Sequence, residues 1–164
     1  KRYNIKNPWH ALSRCWRPSR AWHAWLAAHR LLFLGIATPR PLALIERRLG
    51  PFRREAWLIT EYCEGGNIVD FFAAHGDSGL PMSTLHATRR FFHRLYAERI
   101  IHGDLKATNL LWHDDQIFLI DLDAMWQYDC PMGFQRAWRK ERQRFLRNWR
   151  DIPSLYDMLD ASLP

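Results

Sequence analysis

Two runs of largely apolar residues near the middle of the chain predict a β-hairpin. The runs cover residues 109–112 and 117–120, and the polar residues 113–116 between them have the composition of a turn. A hairpin brings the residue that enters its first strand next to the residue that leaves its second strand. We therefore expect Asn109 and Asp121 to lie side by side at one end of the ribbon.

A helix is predicted over residues 19–34. Ser19 is a suitable N-terminal cap, and Gly35 follows the last apolar residue as a suitable stop. Large apolar or aromatic side chains recur within this segment at three-to-four spacing, as in an amphipathic helix: Trp22, Trp25, Leu26, His29, Leu32 and Phe33.

The rest of the chain is predicted to form further strands and helices. Asn67 and Ser83 are suitable N-terminal caps for two of the helices. Two of these elements are strands, and the loop between them is expected to contain Gly50 and the basic pair at 53–54. The expected bounds are 42–46 and 56–62 for the strands, and 67–74, 83–99, 134–149 and 154–159 for the helices.

The composition is that of a folded globular protein. Hydrophobic residues make up 48% of the 164 residues and charged residues 25%, so the chain can bury one sizeable core or two small lobes. The formal net charge is +7, and basic proteins are drawn to polyanions such as nucleic acid, an anionic membrane or an anionic substrate. No nucleic-acid-binding motif is visible, so nucleic acid is not expected as a partner.

The cysteine pattern favours a reducing compartment. Cys15, Cys63 and Cys130 are widely spaced, form no metal-binding motif and are odd in number. The chain also shows no signal peptide and no run of 18 apolar residues, so we expect a cytoplasmic protein without a transmembrane helix.

The polar residues around the predicted hairpin suit phosphoryl transfer. Asp121 and Asn109 offer the oxygen ligands that Mg²⁺ prefers. Lys106 can place a positive charge against a phosphoryl group, and Asp104 can orient a substrate hydroxyl and accept its proton. The alternative interpretation is an ordinary β-hairpin with surface carboxylates.

Two motifs in this region resemble those of the protein-kinase-like superfamily. The sequence His-Gly-Asp-Leu-Lys-Ala-Thr-Asn at 102–109 resembles its catalytic loop, and Ile-Asp-Leu-Asp at 120–123 resembles its metal-binding element. The resemblance implies a two-lobed α+β fold, with a partial N-lobe at residues 1–62 and a helical C-lobe at 63–164. It also implies that the Gly-rich phosphate loop of the N-lobe lies upstream of residue 1.

The resemblance further implies a role for each polar residue of the two motifs. Asp104 would be the catalytic base and Lys106 a contact to the phosphate. Asn109 and Asp121 would hold Mg²⁺ and, through it, the phosphates of ATP.

The same resemblance extends to the nucleotide site. Lys1 would be the strand lysine that contacts the nucleotide phosphates. The segment 60–66 would be the hinge between the lobes, where backbone groups near Glu61 and Cys63 meet the adenine edge. One departure is clear: residues 17–45 contain no acid, whereas the superfamily places on its C-helix a Glu, expected near Ala24, that pairs with the strand lysine.

Residues 1–150 resemble most closely the bacterial lipopolysaccharide core kinases, which act on inner-core heptose or 3-deoxy-D-manno-octulosonic acid (Kdo). Gly103 stands where regulated protein kinases carry Arg. The resemblance implies ATP-dependent phosphorylation of a sugar hydroxyl of the lipopolysaccharide core, or of another anionic glycolipid, at the cytoplasmic face of the inner membrane. The basic helix at 134–149 fits two interpretations, a solvated helix packed by its aromatic stripe or a patch for anionic lipid or phosphorylated sugar.

Two other functions remain open at this point. The missing acid on the C-helix is compatible with a pseudokinase, a module that binds nucleotide without transferring phosphate. The small size is compatible with an atypical protein kinase of the RIO-like kind.

Overall fold

The computed structural model describes residues 1–3, 18–50, 52–75 and 80–164, with the backbone alone at Phe52 and Arg53. Within these ranges it contains helices and small sheets. The helices are α1 (Arg20–Phe33), α2 (Ile68–His75), α3 (Met82–Ala97), α4 (Pro131–Leu146) and α5 (Pro153–Ser162). The strands are β1 (Arg2–Tyr3), β2 (Pro41–Leu49), β3 (Phe52–Thr60), β4 (Gly66–Asn67), β5 (Ile100–Ile101), β6 (Leu110–His113), β7 (Gln116–Leu119) and β8 (Trp126–Gln127).

The N-terminal sheet has the strand order β1-β3-β2, and its neighbouring strands are antiparallel. Strands β2 and β3 form a longer hairpin than the sequence predicts, because the basic pair at 53–54 belongs to β3 and not to the loop. Strand β3 ends at Thr60, two residues before its predicted end. The chain then passes without regular structure to β4, in the segment expected to be the hinge.

Helix α1 is one residue shorter at each end than predicted, and Ser19 caps it by accepting a 2.9 Å hydrogen bond from the backbone N–H of Trp22. Its buried face, however, is not the aromatic stripe. The side chains with almost no exposure are small or lie opposite the stripe: Ala21, Ala24, Ala27, Ala28 and Leu31. Phe33 is 90% exposed and Leu26 is 51% exposed. Alanine side chains let the helix approach its neighbours closely, whereas the stripe would hold it away.

The predicted hairpin is present as β6 and β7, which pair Leu110 with Leu119 and His113 with Gln116. Its two-residue turn consists of Asp114 and Asp115, at φ 48° and 55°. Both left-handed conformations suit a tight hairpin turn, and Asp tolerates them better than most residues.

The helical part of the chain is organised around buried aromatic rings. Trp138, Phe145 and Trp149, the aromatic stripe of the basic helix, are each at most 4% exposed. Phe92 of α3 packs against Phe145 with 4.7 Å between ring centroids. The aromatic face of α4 therefore belongs to the core, and its cationic face is left to the solvent.

The predicted helix caps differ in outcome. Asn67 caps α2, because its side-chain oxygen accepts a 2.9 Å hydrogen bond from the N–H of Val69. The prediction for Ser83 is wrong, since α3 begins at Met82 with Pro81 before it and without a side-chain cap. Proline fixes the extended backbone that precedes a helix and so marks the start without a hydrogen bond.

Two further expectations concern the described residues only in part. Cys63 and Cys130 are free thiols, while Cys15 lies outside the described residues. Within the described ranges, no helix combines the length and the apolar character needed to cross a bilayer.

Candidate active site

A cleft of about 430 Å³ lies between the N-terminal sheet with α1 and the end of the β6–β7 hairpin. Its lining includes every residue that the sequence suggested for nucleotide or metal binding: Lys1, Glu61, Cys63, Asn109 and Asp121. These residues come from distant parts of the chain, so their convergence is a property of the fold.

Asn109 and Asp121 are brought together by the hairpin, as its geometry predicts. The N–H of Ile120 donates to the carbonyl oxygen of Asn109 at 3.0 Å, which continues the ladder beyond the last strand pair. The side-chain Nδ2 of Asn109 donates to the carbonyl oxygen of Asp104 at 2.9 Å. This bond uses one of the two N–H donors of the amide and leaves its oxygen available as a ligand atom.

Asp104 and Lys106 lie in the loop beside this pair. The Nζ of Lys106 is 2.9 Å from Oδ2 of Asp104, and the two side chains are 53% and 45% exposed. Neither lines the cleft, but the bond from Asn109 to the Asp104 backbone holds the loop against its edge. A substrate hydroxyl can therefore reach Asp104 from the solvent side.

Lys1 contacts Asp121 directly through an ion pair between Nζ and Oδ1. Burial acts to raise the pKa of Asp121, but hydrogen bonds with Lys1 and Asp123 hold it below its ordinary value. Burial also acts to lower the pKa of Lys1, yet the bond to Asp121 and the nearby acids leave it raised. Both groups therefore remain charged, and Asp121 is an ionised carboxylate facing the cleft.

We call residues 102–109 the catalytic loop, after the motif that they resemble. His102, which is fully buried, connects this loop to Ile120, the residue that follows β7. Its Nε2 lies 2.8 Å from the carbonyl oxygen of Ile120, and its Nδ1 lies 3.3 Å from the N–H of Asp104. A carbonyl only accepts and an N–H only donates, so the contacts require the neutral tautomer with the proton on Nε2. The ring thereby fixes the spacing between Asp104 and the segment that carries Asp121.

Glu141 and Arg144 of α4 hold the same loop from the opposite side. Oε1 of Glu141 accepts hydrogen bonds from the backbone N–H groups of His102 and Gly103, at 2.7 and 3.0 Å. Arg144 donates to the carbonyl oxygen of Gly103 and lies 3.4 Å from Oε2 of Glu141. Sequence reasoning missed both residues. Glu141 is the only acid in the basic segment 134–149, and this isolation could have indicated a structural role.

Gly103 allows the catalytic loop to pack against the turn that follows Asp121. Its φ is +84°, and a Cβ atom there would lie 2.6 Å from the carbonyl oxygen of Ala124. A larger residue at this position would be strained and would separate the loop from the turn.

The segment between β3 and β4, for which the resemblance predicts a hinge, passes along the cleft. The backbone N–H of Glu61 donates to the carbonyl oxygen of Arg40 at 2.9 Å, and its carboxylate pairs with the Arg40 side chain at 2.7 Å. Of the two glycines that follow, only Gly65 is required by space, because a Cβ there would lie 2.9 Å from the carbonyl oxygen of Trp112.

Comparison with solved structures bears on the fold. The chain is similar to a structure described as "WaaP in complex with acyl carrier protein", with a TM-score of 0.57 and 21% sequence identity. The match covers 86% of this chain and 74% of that chain. WaaP has a protein-kinase-like fold, and this chain shares it. No curated protein matches the sequence.

Comparison with family models identifies the chain. The model of the lipopolysaccharide kinase (Kdo/WaaP) family matches residues 1–154, which include the cleft, the catalytic loop and α4. The predictions of a kinase and of lipopolysaccharide as the substrate class are both confirmed. The chain belongs to the lipopolysaccharide kinase (Kdo/WaaP) family and is a phosphotransferase that acts on a sugar in lipopolysaccharide core synthesis.

Proposed function

We propose that this chain transfers the terminal phosphate of ATP to a hydroxyl of inner-core heptose or Kdo, with Asp104 as the base. The observation that carries the proposal is the convergence of Lys1, Asn109 and Asp121 on one cleft, with Asp104 and Lys106 at its edge. Membership of a kinase family implies ATP as the phosphate donor.

The proposed position of the adenine follows from the hydrogen bonds already made in the hinge. The N–H of Glu61 is used by Arg40, so its carbonyl oxygen is the group left for a ligand. Cys63, two residues on, also lines the cleft, and its N–H would supply the matching donor. Lys1 also lines the cleft and pairs with Asp121, where it would contact the phosphates. In this proposal residues 1–62 form the N-lobe and residues 63–164 the C-lobe.

The residues at the end of the hairpin fit a magnesium ion. Asp121 is ionised, and the amide oxygen of Asn109 is not used by its bond to Asp104. The described parts of the chain contain no group of three or more His, Cys, Asp or Glu able to hold a metal ion, so phosphate oxygens would complete the coordination, as is usual for Mg²⁺. The ion would neutralise charge on the phosphates.

Asp104 and Lys106 would act on the transferred group. The exposed carboxylate of Asp104 would orient the sugar hydroxyl and accept its proton. The Nζ of Lys106, 2.9 Å away, would hold that carboxylate in the acceptor position until substrate binds and would then face the phosphoryl group. Little else is required of the protein, because this chemistry depends mainly on positioning and on charge neutralisation.

The outer face of α4 supports a peripheral position on the cytoplasmic side of the inner membrane. Its aromatic face is buried, and Glu141, the only acid in segment 134–149, is buried too. We call the exposed cationic side chains of this segment and the residue after it the α4 cationic face: Arg136, Arg139, Lys140, Arg147 and Arg150. At the rise of a helix this face is about 21 Å long, which suits the anionic surface in which the acceptor is embedded.

The test is phosphate transfer by the purified full chain, with labelled ATP, Mg²⁺ and lipopolysaccharide that lacks core phosphate. We expect label in the lipopolysaccharide. Asp104→Asn should reduce the rate by about 100-fold or more, because general-base catalysis contributes about 10²–10⁴-fold, while nucleotide binding stays close to that of the wild type. Transfer at the wild-type rate in this variant would remove Asp104 from its role.

Two alternative functions correspond to other outcomes of the same experiment. Nucleotide binding without transfer to any saccharide would favour the pseudokinase. Label in protein but not in lipopolysaccharide would favour the RIO-like protein kinase.

A further inference from the structure

Helix α1 lacks the carboxylate that the strand lysine was expected to pair with. Ala24, at the expected position, is 1% exposed and lines the cleft together with Ala28. Lys1 instead contacts Asp121 directly. The connection between α1 and the site must therefore be made by another pair of groups.

That pair consists of Arg20, the first residue of α1, and Asp123, in the turn that follows Asp121. The Arg20 guanidinium forms an ion pair with Oδ2 of Asp123. The Asp123 side chain is only 5% exposed, whereas that of Arg20 is 66% exposed. The helix thus supplies the cation and the turn supplies the anion, which is the reverse of a helix carboxylate with a strand lysine.

The location of Arg20 argues for a specific role. A cation in the first turn of a helix opposes the helix dipole, and α1 has no acid in that turn to offset it. Arg20 also lies over the ring of Tyr3, with 6.0 Å between the guanidinium carbon and the ring centroid. Lys1 lies over the same ring at 5.0 Å. Two cations and two acids, Asp121 and Asp123, therefore form one compact charge cluster at the mouth of the cleft.

Within this cluster the two carboxylates compete for cations. Asp121 and Asp123 interact through their side chains, and both are partly buried. Without Arg20, the buried carboxylate of Asp123 would lose its ion-pair partner, and Lys1 is a second cation that already acts on it. Asp123 would then draw Lys1 away from Asp121, and both would leave the positions they need for the phosphates and the metal.

We propose that Arg20 is a positioning residue that holds α1 against the metal-binding turn through Asp123, and so keeps Asp121 and Lys1 in place for Mg-ATP. This inference rests on the proposed function of the cleft. A direct metal-binding role for Asp123 is the competing explanation. The geometry favours the ion pair, because Asp121 and Leu122 line the cleft whereas Asp123 does not.

The test compares Arg20→Gln, Asp123→Asn, the double variant and Arg20→Lys. Binding of a fluorescent ATP analogue is measured against Mg²⁺ concentration, and kcat and KM for ATP are measured in the transfer assay. We expect each single variant to lower kcat/KM for ATP by up to about 100-fold, the size of a misplacement effect. The double variant should be no worse than either single variant, because both changes remove the same pair. Arg20→Lys, which keeps the charge, should recover part of the loss.

Arg30→Gln is the matched control. It removes the same charge from the same helix, but Arg30 donates to Oε1 of Gln127 at 2.7 Å, whereas Arg20 pairs with Asp123. We expect wild-type binding and kinetics in this variant. Thermal unfolding of all variants separates loss of the site from loss of the fold.

Three outcomes would overturn the proposal. If Arg20→Gln behaves like Arg30→Gln, the ion pair has no positioning role. If Asp123→Asn alone raises the Mg²⁺ requirement, Asp123 is a metal ligand in its own right. If the single effects add in the double variant, the two residues act independently. A wild-type protein that binds Mg-ATP without transferring phosphate would refute the proposed function, and the binding measurements would still test the role of Arg20.

Discussion

Glu141 shows how one buried carboxylate can organise a catalytic loop. It accepts hydrogen bonds from two backbone N–H groups of that loop and is 2% exposed. Burial is the largest effect on its pKa, which lies above its ordinary value of 4.5 although Arg144 and the two N–H groups favour the charged form. The position of Asp104 therefore depends on a group whose own charge is costly to bury.

This raised pKa makes a prediction about stability and pH. The folded state binds the Glu141 proton more tightly than the unfolded state does, so this group's contribution is fully present below pH 4.5 and is lost as the pH rises through the folded-state pKa. Glu141→Gln keeps an acceptor for the N–H groups but does not titrate. We expect the wild type to gain stability relative to Glu141→Gln as the pH falls through this interval, measured by urea unfolding of both proteins.

Glu141→Ala is the comparison for the same series. It leaves two buried N–H groups without an acceptor, so it should be less stable than Glu141→Gln by roughly 2–4 kcal/mol. A stability difference between the wild type and Glu141→Gln that does not change with pH would contradict the prediction.

The sequence predicts the positions of some residues of the site but not of others. Asn109 and Asp121 could be placed side by side because the hairpin between them is a local structure with a two-residue turn. Glu141 lies 39 positions from the His102 N–H that it binds, and Arg20 is still farther from Asp123. No local pattern records such pairs, because they form only when separate elements pack.

At the scale of elements, α1 illustrates the limit of hydrophobic periodicity. Its bounds and its Ser19 cap follow from the sequence, since both depend on neighbours within one turn. The buried face does not, because the space beside the cleft admits alanine and not the larger side chains of the stripe. Ala28, 2% exposed, lies where a bulky residue would enter the cleft.

Two variants test which face of α1 is buried. Ala28→Leu should lower the free energy of unfolding by about 1–3 kcal/mol through overpacking and should weaken nucleotide binding by filling the cleft. Leu26→Gln, at a position that is 51% exposed, should change stability by about 0.5 kcal/mol or less. Urea unfolding and binding of a fluorescent nucleotide are the measurements. The opposite ranking of the two variants would mean that the aromatic stripe is the buried face.

At the scale of the whole molecule, the cations behind the net charge of +7 differ in how far nearby acids neutralise them. Cations of the N-terminal sheet are partly paired with acids, as Arg48 is with Glu46 at 2.9 Å. Helix α4 contains no exposed acid that could pair with the α4 cationic face. This face is therefore the part of the charge that we expect to act on an anionic surface.

A charge-neutralised variant tests this expectation. Arg136→Gln, Arg139→Gln and Lys140→Gln together should weaken binding to vesicles that contain anionic lipid by about 100-fold at low salt, because each cation near such a surface contributes about 1 kcal/mol. Vesicle sedimentation at several salt concentrations measures the effect. Binding to neutral vesicles should be weak for both proteins.

The matched control removes three cations from the β2–β3 hairpin, with Gln at Arg47, Arg48 and Arg54. It has the same net charge as the α4 variant. Equal loss of binding in the two variants would show that net charge acts without regard to location, and α4 would then have no special part in membrane association.

The sequence by itself determined the elements that depend on near neighbours: the hairpin with its polar turn, the bounds of α1 to within one residue, and the meeting of Asn109 with Asp121. Short-range hydrogen bonds and turn geometry suffice to specify these features. Only the tertiary structure decided which face of α1 is buried and which acids the cations Arg20 and Arg144 meet. These outcomes depend on the packing space and the charged groups that distant parts of the chain supply. The local sequence around each residue does not indicate its partner.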